Sequence, residues 1–246
     1  MTALLLSALA LAASPSPAAE THASAAPLAG AKITIDPGHN GGNASHPAEI
    51  NRQVSIGGGE TKECDTTGTA TASGYPESRF TFEVARALKR KLKARGAKVV
   101  MTRANDHGVG PCINRRARIG NRSHSDAAIS IHADGGPPGG RGFHVIYPTK
   151  IDGLTDDIYK PSRRLARVVR SSYERRTGMP RSTYAGSEGL DRRGDLGGLR
   201  LSNVPKVFIE AGNMRNATDA TKLEAQRFRN KIARGLRKGL ARFLRG

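Results

Sequence analysis

The sequence predicts an α/β fold: a single three-layer domain, with a mostly parallel, twisted central sheet of about six strands flanked by helices. Three observations carry this. Short apolar runs rich in Ile and Val alternate along the chain with amphipathic helical patterns. Neither an internal repeat nor a second core-sized segment is visible. The 246 residues, 37% hydrophobic and 25% charged, suit one packed core rather than wholesale disorder.

The elements follow in order. Residues 32–36 (KITID) read as a buried strand, ended by Pro37-Gly38. Residues 40–76 are rich in Gly, Ser, Thr and Asn and lack periodicity. They read as a long loop or hairpin insertion, and loops of that length are usually functional. A helix opens at Pro76. Phe80, Val84, Leu88 and Leu92 recur every fourth residue on one face, and Gly96 ends it. Residues 98–102 form a second strand and 113–124 a basic helix. Residues 127–133 form a third strand and 142–147 a fourth. Residues 161–177 make a helix with Leu165, Val168 and Val169 inward. A Gly- and Arg-rich loop is expected over 181–203 and a fifth strand over 206–209. One closing helix is expected over 221–244, striped by Phe228, Ile232, Leu236, Leu240 and Leu244.

Charge narrows the partners. Forty Lys and Arg against 21 Asp and Glu give a formal net charge of +19. Such a chain is drawn to polyanions: nucleic acid, anionic lipid or acidic wall polymer. No apolar run reaches the roughly 18–20 residues of a membrane span. Residues 3–13 (ALLLSALALAA) have the length of a signal-peptide apolar segment, and Ala23-Ser24-Ala25 fits a cleavage pattern. Residues 1–25 are therefore read as a secretory signal peptide, cut somewhere within 19–26. No Lys or Arg precedes the apolar run. Export makes nucleic acid an improbable partner and permits a disulfide. The 4% aromatic content and the lack of a nucleic-acid motif agree.

Four polar residues stand where an α/β sheet binds ligands, at strand ends or a helix start: His39, Glu77, His132 and Glu210. Two histidines and a carboxylate make a catalytic zinc triad with an open fourth position. A second carboxylate then moves the water's proton to a leaving amine. Taken singly, each has a plainer reading: a hydrogen-bonded histidine, or a glutamate favoured by the helix dipole. No H-E-x-x-H is present.

Three segments decide between these readings: Ile35 to Gly42 (IDPGHNGG), Ser130 to Asp134 (SIHAD) and Glu210 to Asn216 (EAGNMRN). They resemble the signature segments of the zinc-dependent N-acetylmuramoyl-L-alanine amidases of the Amidase_3 family. Residues 96–103 and 116–121 resemble that family's second strand and the helix before its histidine strand. The likeness runs in order from about Ala31 to Leu244. It implies that His39, Glu77 and His132 hold Zn2+, with Glu210 as the catalytic acid–base. It implies hydrolysis of the amide between N-acetylmuramic acid and L-alanine in peptidoglycan or muropeptides. Glu60 and Glu63 are rivals of Glu77, but neither opens an amphipathic helix.

The chain departs from the family in its 40–76 insertion, which could be a lid or part of a substrate groove. Asn40 and Asp134 stand where the family commonly has glycine and asparagine. Cys64 lies in the insertion and Cys112 after the second strand, so a Cys64–Cys112 disulfide is expected to pin the insertion down. Asp36 either orients His39 or forms a turn. His46, His107 and His124 read as solvated, and His144 faces the site or the outside. Arg192, Arg193 and Arg200 are candidates to meet stem-peptide carboxylates, and the basic closing helix to hold anionic wall polymer. No separate wall-binding domain is visible. The expected protein is a monomer, secreted, periplasmic or wall-associated in a bacterium. The rivals are a silent wall-binding or regulatory protein on the same fold, and another zinc amide hydrolase, a peptidase or deacetylase.

Overall fold

A computed structural model describes residues 27–246. The expected signal peptide, residues 1–25, lies outside these. Strand β1 (Lys32–Pro37) is followed by the insertion, which holds a one-turn helix α1 (Pro47–Ile50) and an antiparallel hairpin of β2 (Gln53–Gly57) and β3 (Glu60–Glu63). Then come α2 (Glu77–Lys93), β4 (Lys98–Met101), α3 (Ile113–Arg122), β5 (Ala127–Asp134) and β6 (His144–Pro148). The chain continues through α4 (Tyr159–Thr177), β7 (Leu190–Arg193), α5 (Gly197–Arg200) and β8 (Lys206–Asn213). It closes with α6 (Ala217–Glu224) and α7 (Gln226–Leu244).

The main sheet has six strands in the order β4-β1-β5-β8-β6-β7. β4, β1, β5 and β8 are parallel, β6 runs antiparallel to β8, and β7 pairs parallel with β6. Each buried strand alternates. Ile33, Ile35, Ile129, Ile131, Val207 and Ile209 are fully buried on one face, against α2, α4 and α7. The other face presents Thr34, Asp36, Ser130, His132, Lys206, Phe208 and Glu210 toward α3, α5 and the hairpin. The Phe80, Val84, Leu88 and Leu92 stripe of α2 is fully buried, each side chain worth about 1.5–3 kcal/mol.

Two expectations are corrected. The loop expected over 181–203 contains β7 and α5. β7 reads Leu-Asp-Arg-Arg, polar on both faces as an edge strand often is, so no alternation signals it. The single closing helix expected over 221–244 is two helices. Ala225 is extended (φ −76°, ψ 117°), and the Arg229 guanidinium donates to the Leu223 and Glu224 carbonyls that end α6. A side chain from the next helix caps the break, with no Gly or Pro to mark it.

The insertion is tied down at two places. Cys64 and Cys112 form a disulfide, 48 residues apart in sequence. Arg200 is buried, and its guanidinium donates to Ile56 O (3.1 Å) and Gly57 O (3.0 Å) and pairs with Glu60 (2.8 Å). Replacing Cys64 and Cys112 together by Ser is expected to lower stability by about 4 kcal/mol, the chain-entropy value for a loop of this size. Urea unfolding of oxidised wild type against the double variant measures it.

Candidate active site

The site begins with the backbone after β1. His39 follows Pro37-Gly38 and sits in the left-handed region, φ 56°. A non-glycine residue pays about 1–3 kcal/mol there and stays only where its surroundings over-determine it. They do so here. Arg116 donates to Pro37 O (2.6 Å) and His39 O (2.8 Å). Arg103 donates to Pro37 O (3.1 Å) and Gly38 O (3.2 Å), and the Thr81 hydroxyl to Gly38 O (2.8 Å). Gly38 itself is required by packing, since a Cβ there would lie 2.2 Å from Cε1 of His132.

Beneath this loop lies a buried ionic cluster centred on Asp36. Its carboxylate accepts from Thr102 (2.7 Å), Arg116 (3.1 Å), Ser130 (3.0 Å) and Lys206 (3.0 Å). Burial alone would raise its pKa. Lys206 and Arg116 outweigh that and hold it far below the ordinary carboxylate range. Asp36 therefore neither touches His39 nor merely shapes a turn. It fixes Arg116, which fixes the loop.

His39, Glu77 and His132 converge, their ligand atoms all within 4.8 Å of one another. Glu77 Oε1 lies 3.2 Å from His39 Nε2 and 3.1 Å from His132 Nδ1. Glu77 sits in the first turn of α2, and its carboxylate also accepts from the backbone N–H groups of Thr69 (3.0 Å) and Ala133 (3.1 Å). His39 Nδ1 lies 2.9 Å from the Thr66 carbonyl, which accepts only, so Nδ1 carries a proton and Nε2 is the nitrogen turned toward Glu77. Asp65 stands 3.5 Å from the same nitrogen. Burial opposes charge on His39, but Glu77 and Asp65 raise its pKa well above 6.5. Burial would raise Glu77, but the two imidazoles hold it low. Two nitrogens and a carboxylate, with a carbonyl orienting one ring from behind, are the donor set that zinc accepts.

Glu210 lines the same cleft, of about 390 Å³, one strand from His132 in register. Its Oε2 is buried without a hydrogen-bond partner. Desolvation and the charges of Glu77 and Asp134 push its pKa well above 4.5. Phe208 stacks on the His132 ring at 5.3 Å.

The three arginines separate. Arg193 lines the cleft and, with Lys62, pairs with Asp195. Arg192 alternates to the opposite face of β7, and Arg200 is consumed by the hairpin; neither offers a guanidinium to the cleft. His46, His107 and His124 are exposed, whereas His144 is buried. Sequence reasoning missed Asp65, Thr66 and the central place of Arg116. Arg116 shares its buried helix face with Ala117 and Gly120, a spacing that marks it as inward.

The N-acetylmuramoyl-L-alanine amidase family (Amidase_3) matches residues 33–242. The chain belongs to this family. It is 43% identical over 224 residues to an N-acetylmuramoyl-L-alanine amidase of Mycobacterium tuberculosis, covering 90% of each chain. The crystal structure of the amidase Ami1 from Mycobacterium smegmatis matches with a TM-score of 0.83 and 42% identity, over 88% of this chain and 98% of that one. Apo Ami1 from Mycobacterium abscessus matches at 0.82 and 43%, over 88% and 100%. Family membership brings with it N-acetylmuramoyl-L-alanine amidase activity.

The Asp36 cluster generates a prediction. Asp36 is ionised in the folded protein far below 3.8, the ordinary carboxylate value. Its contribution to stability is complete above that value and is lost as pH falls below it, because only the unfolded chain then binds the proton. Lys206→Met strips the buried carboxylate of one cation and is expected to cost about 3–5 kcal/mol at neutral pH. Urea unfolding from pH 7 to pH 2 checks both, and Asp36→Asn should flatten the acid limb.

Proposed function

We propose that this chain is an exported, zinc-dependent N-acetylmuramoyl-L-alanine amidase that cleaves the bond between N-acetylmuramic acid and L-alanine in peptidoglycan or its soluble fragments. The observation that carries this is the convergence of His39, Glu77 and His132 in one cleft beside the unpartnered carboxyl oxygen of Glu210. His39 through Nε2, Glu77 and His132 would hold the metal. Bound there, zinc supplies a water of near-neutral pKa and polarises the scissile carbonyl.

The chain's own residues do the rest. Glu210 takes the proton of the attacking water and returns it to the L-alanine amine as the amide bond breaks. Burial and the neighbouring carboxylates raise its pKa, which makes it a stronger acceptor for that proton. Thr66 and Asp65 hold the Nδ1 side of His39, so Nε2 is the nitrogen presented to a metal. Phe208 stacks on the His132 ring and limits its rotation. Arg193 and Lys62, the two partly exposed cations that line the cleft, share a single carboxylate, Asp195, and are the groups placed to meet the carboxylates of a stem peptide. Export rests on the apolar run of residues 3–13 and on a disulfide that needs an oxidising compartment.

The test is incubation of the zinc-loaded protein with a muramoyl dipeptide, with and without a chelator, followed by mass spectrometry. The expected result is chelator-sensitive release of a peptide with a free L-alanine amine. Glu210→Gln should lose at least about 100-fold in kcat while metal analysis still finds one zinc per chain; His132→Ala should lose both. An intact dipeptide and intact peptidoglycan after incubation with the loaded wild type would refute the reading.

A further inference from the structure

The positive charge of this chain is concentrated on one side. The helical layer opposite the cleft carries six Lys and Arg on α2, seven on α4 and seven on α7. Its acids are few and occupied. Glu77 belongs to the site. Glu83 pairs with Arg79 (3.0 Å) and Arg229 (2.8 Å), and Glu174 pairs with Arg181 (3.0 Å). α7 has none.

Along α4 and α7 lies an open surface groove of about 530 Å³, lined also by Arg95 from the turn after α2. Nine residues line it, and all but Ser172 and Ala241 are Lys or Arg. Arg175 and Arg176 form one wall, and Arg237, Arg242 and Lys238 the other. Among the described residues, none of its cations is in an ion pair. Partial burial and the guanidinium groups of Arg95, Arg176 and Arg245 depress the pKa of Arg237. Crowded like charges without counter-ions destabilise the folded state, and a bound polyanion relieves them.

We propose that this groove binds a linear, phosphate-bearing polymer of the cell wall, holding the enzyme by its back while the cleft on the other face works on peptidoglycan. The wall as the source of the polymer rests on the amidase reading; the groove's preference for a chain of phosphates does not. Six of the seven cations are arginines, whose planar forks match phosphate oxygens in pairs. A concave groove follows a chain and not a flat bilayer. No apolar side chain of α4 or α7 is fully exposed, so nothing there inserts into lipid. No aromatic ring lines the groove, so there is no platform on which nucleic-acid bases could stack.

The experiment titrates the folded enzyme with inorganic polyphosphate at several salt concentrations. Single-stranded DNA of equal charge and anionic phospholipid vesicles run as parallel arms. Arg175→Glu, Arg176→Glu and Arg242→Glu are combined in one variant, with the milder Gln triple beside it in case the first folds poorly. A control reverses Arg115, Arg118 and Arg122, exposed on α3, for the same change in charge. The groove variant should bind polyphosphate at least about 30-fold more weakly, with a salt slope reduced by about three units; the control should change by less than about threefold. Retention on isolated wall should fall in the groove variant, and in wild type once wall phosphodiesters are removed with hydrofluoric acid. Equal weakening in groove variant and control, tighter binding of DNA or vesicles than of polyphosphate, or retention that survives removal of the phosphodiesters would each overturn the proposal. Cleavage of a muramoyl dipeptide, measured separately, should be equal in all variants. Its failure in wild type would refute the amidase reading and leave the groove result standing.

Discussion

Everything at the catalytic end of this protein depends on three consecutive carbonyls being held from behind. Pro37, Gly38 and His39 turn sharply after β1, and His39 takes a conformation that a residue with a Cβ avoids. Arg103 and Arg116 grip the three carbonyl oxygens, and Asp36 anchors Arg116 in turn. A free imidazole at the end of a strand would sample several directions. This one is aimed by its own main chain before any neighbour touches its ring. Because two guanidinium groups are buried to do it, a deeply ionised carboxylate has to be buried with them. The ionic cluster is thus a condition of the site's geometry, and the fold accommodates it by gathering the polar side chains of β1, β5 and β8 on one face of the sheet.

That division between faces explains how one sheet serves two purposes. Along β1, β5 and β8, odd-numbered positions hold Ile and Val in an entirely apolar layer beneath the helices. Even-numbered positions carry hydroxyls, charges and the catalytic side chains. The apolar face provides the drive to fold, and the polar face can then hold groups that would be costly in an ordinary core. The hairpin and α5 cover it without sealing it. Cys64 lies one and two residues before Asp65 and Thr66, the two groups beside His39 Nδ1, so the disulfide that ties the insertion also steadies the outer support of that histidine.

Much of this was legible in the sequence, for a physical reason. Strands buried on both faces with unlike chemistry still alternate, so Ile-Thr-Ile-Asp and Ile-Ser-Ile-His announce both a strand and a polar end. The Phe80 to Leu92 stripe announces α2, and with it Glu77 at the helix start. Elements whose identity depends on partners stayed hidden. β7 exists because β6 offers it an edge, and its own residues are polar on both sides. The break at Ala225 exists because Arg229 reaches back to cap α6. Arg192, Arg193 and Arg200 look alike in a Gly-rich stretch. Only the pleat of β7 and the position of the hairpin sort them into one outward, one at the cleft and one buried. Arg116 reads as one more cation in a basic helix unless its phase against Ala117 and Gly120 is considered.

The contact between Asp36 and Lys206 joins residues 170 positions apart. It brings into view the order of events as the chain matures. A fold whose key pairings are this distant in sequence has high contact order and condenses slowly. β1 cannot settle its buried carboxylate until β8, near the end of the chain, has arrived. The residues of the site are therefore among the last to become organised, however early His39 leaves the ribosome. A hydrolase built this way has no assembled active centre while it is being made, and it acquires one only after the whole polypeptide has come together.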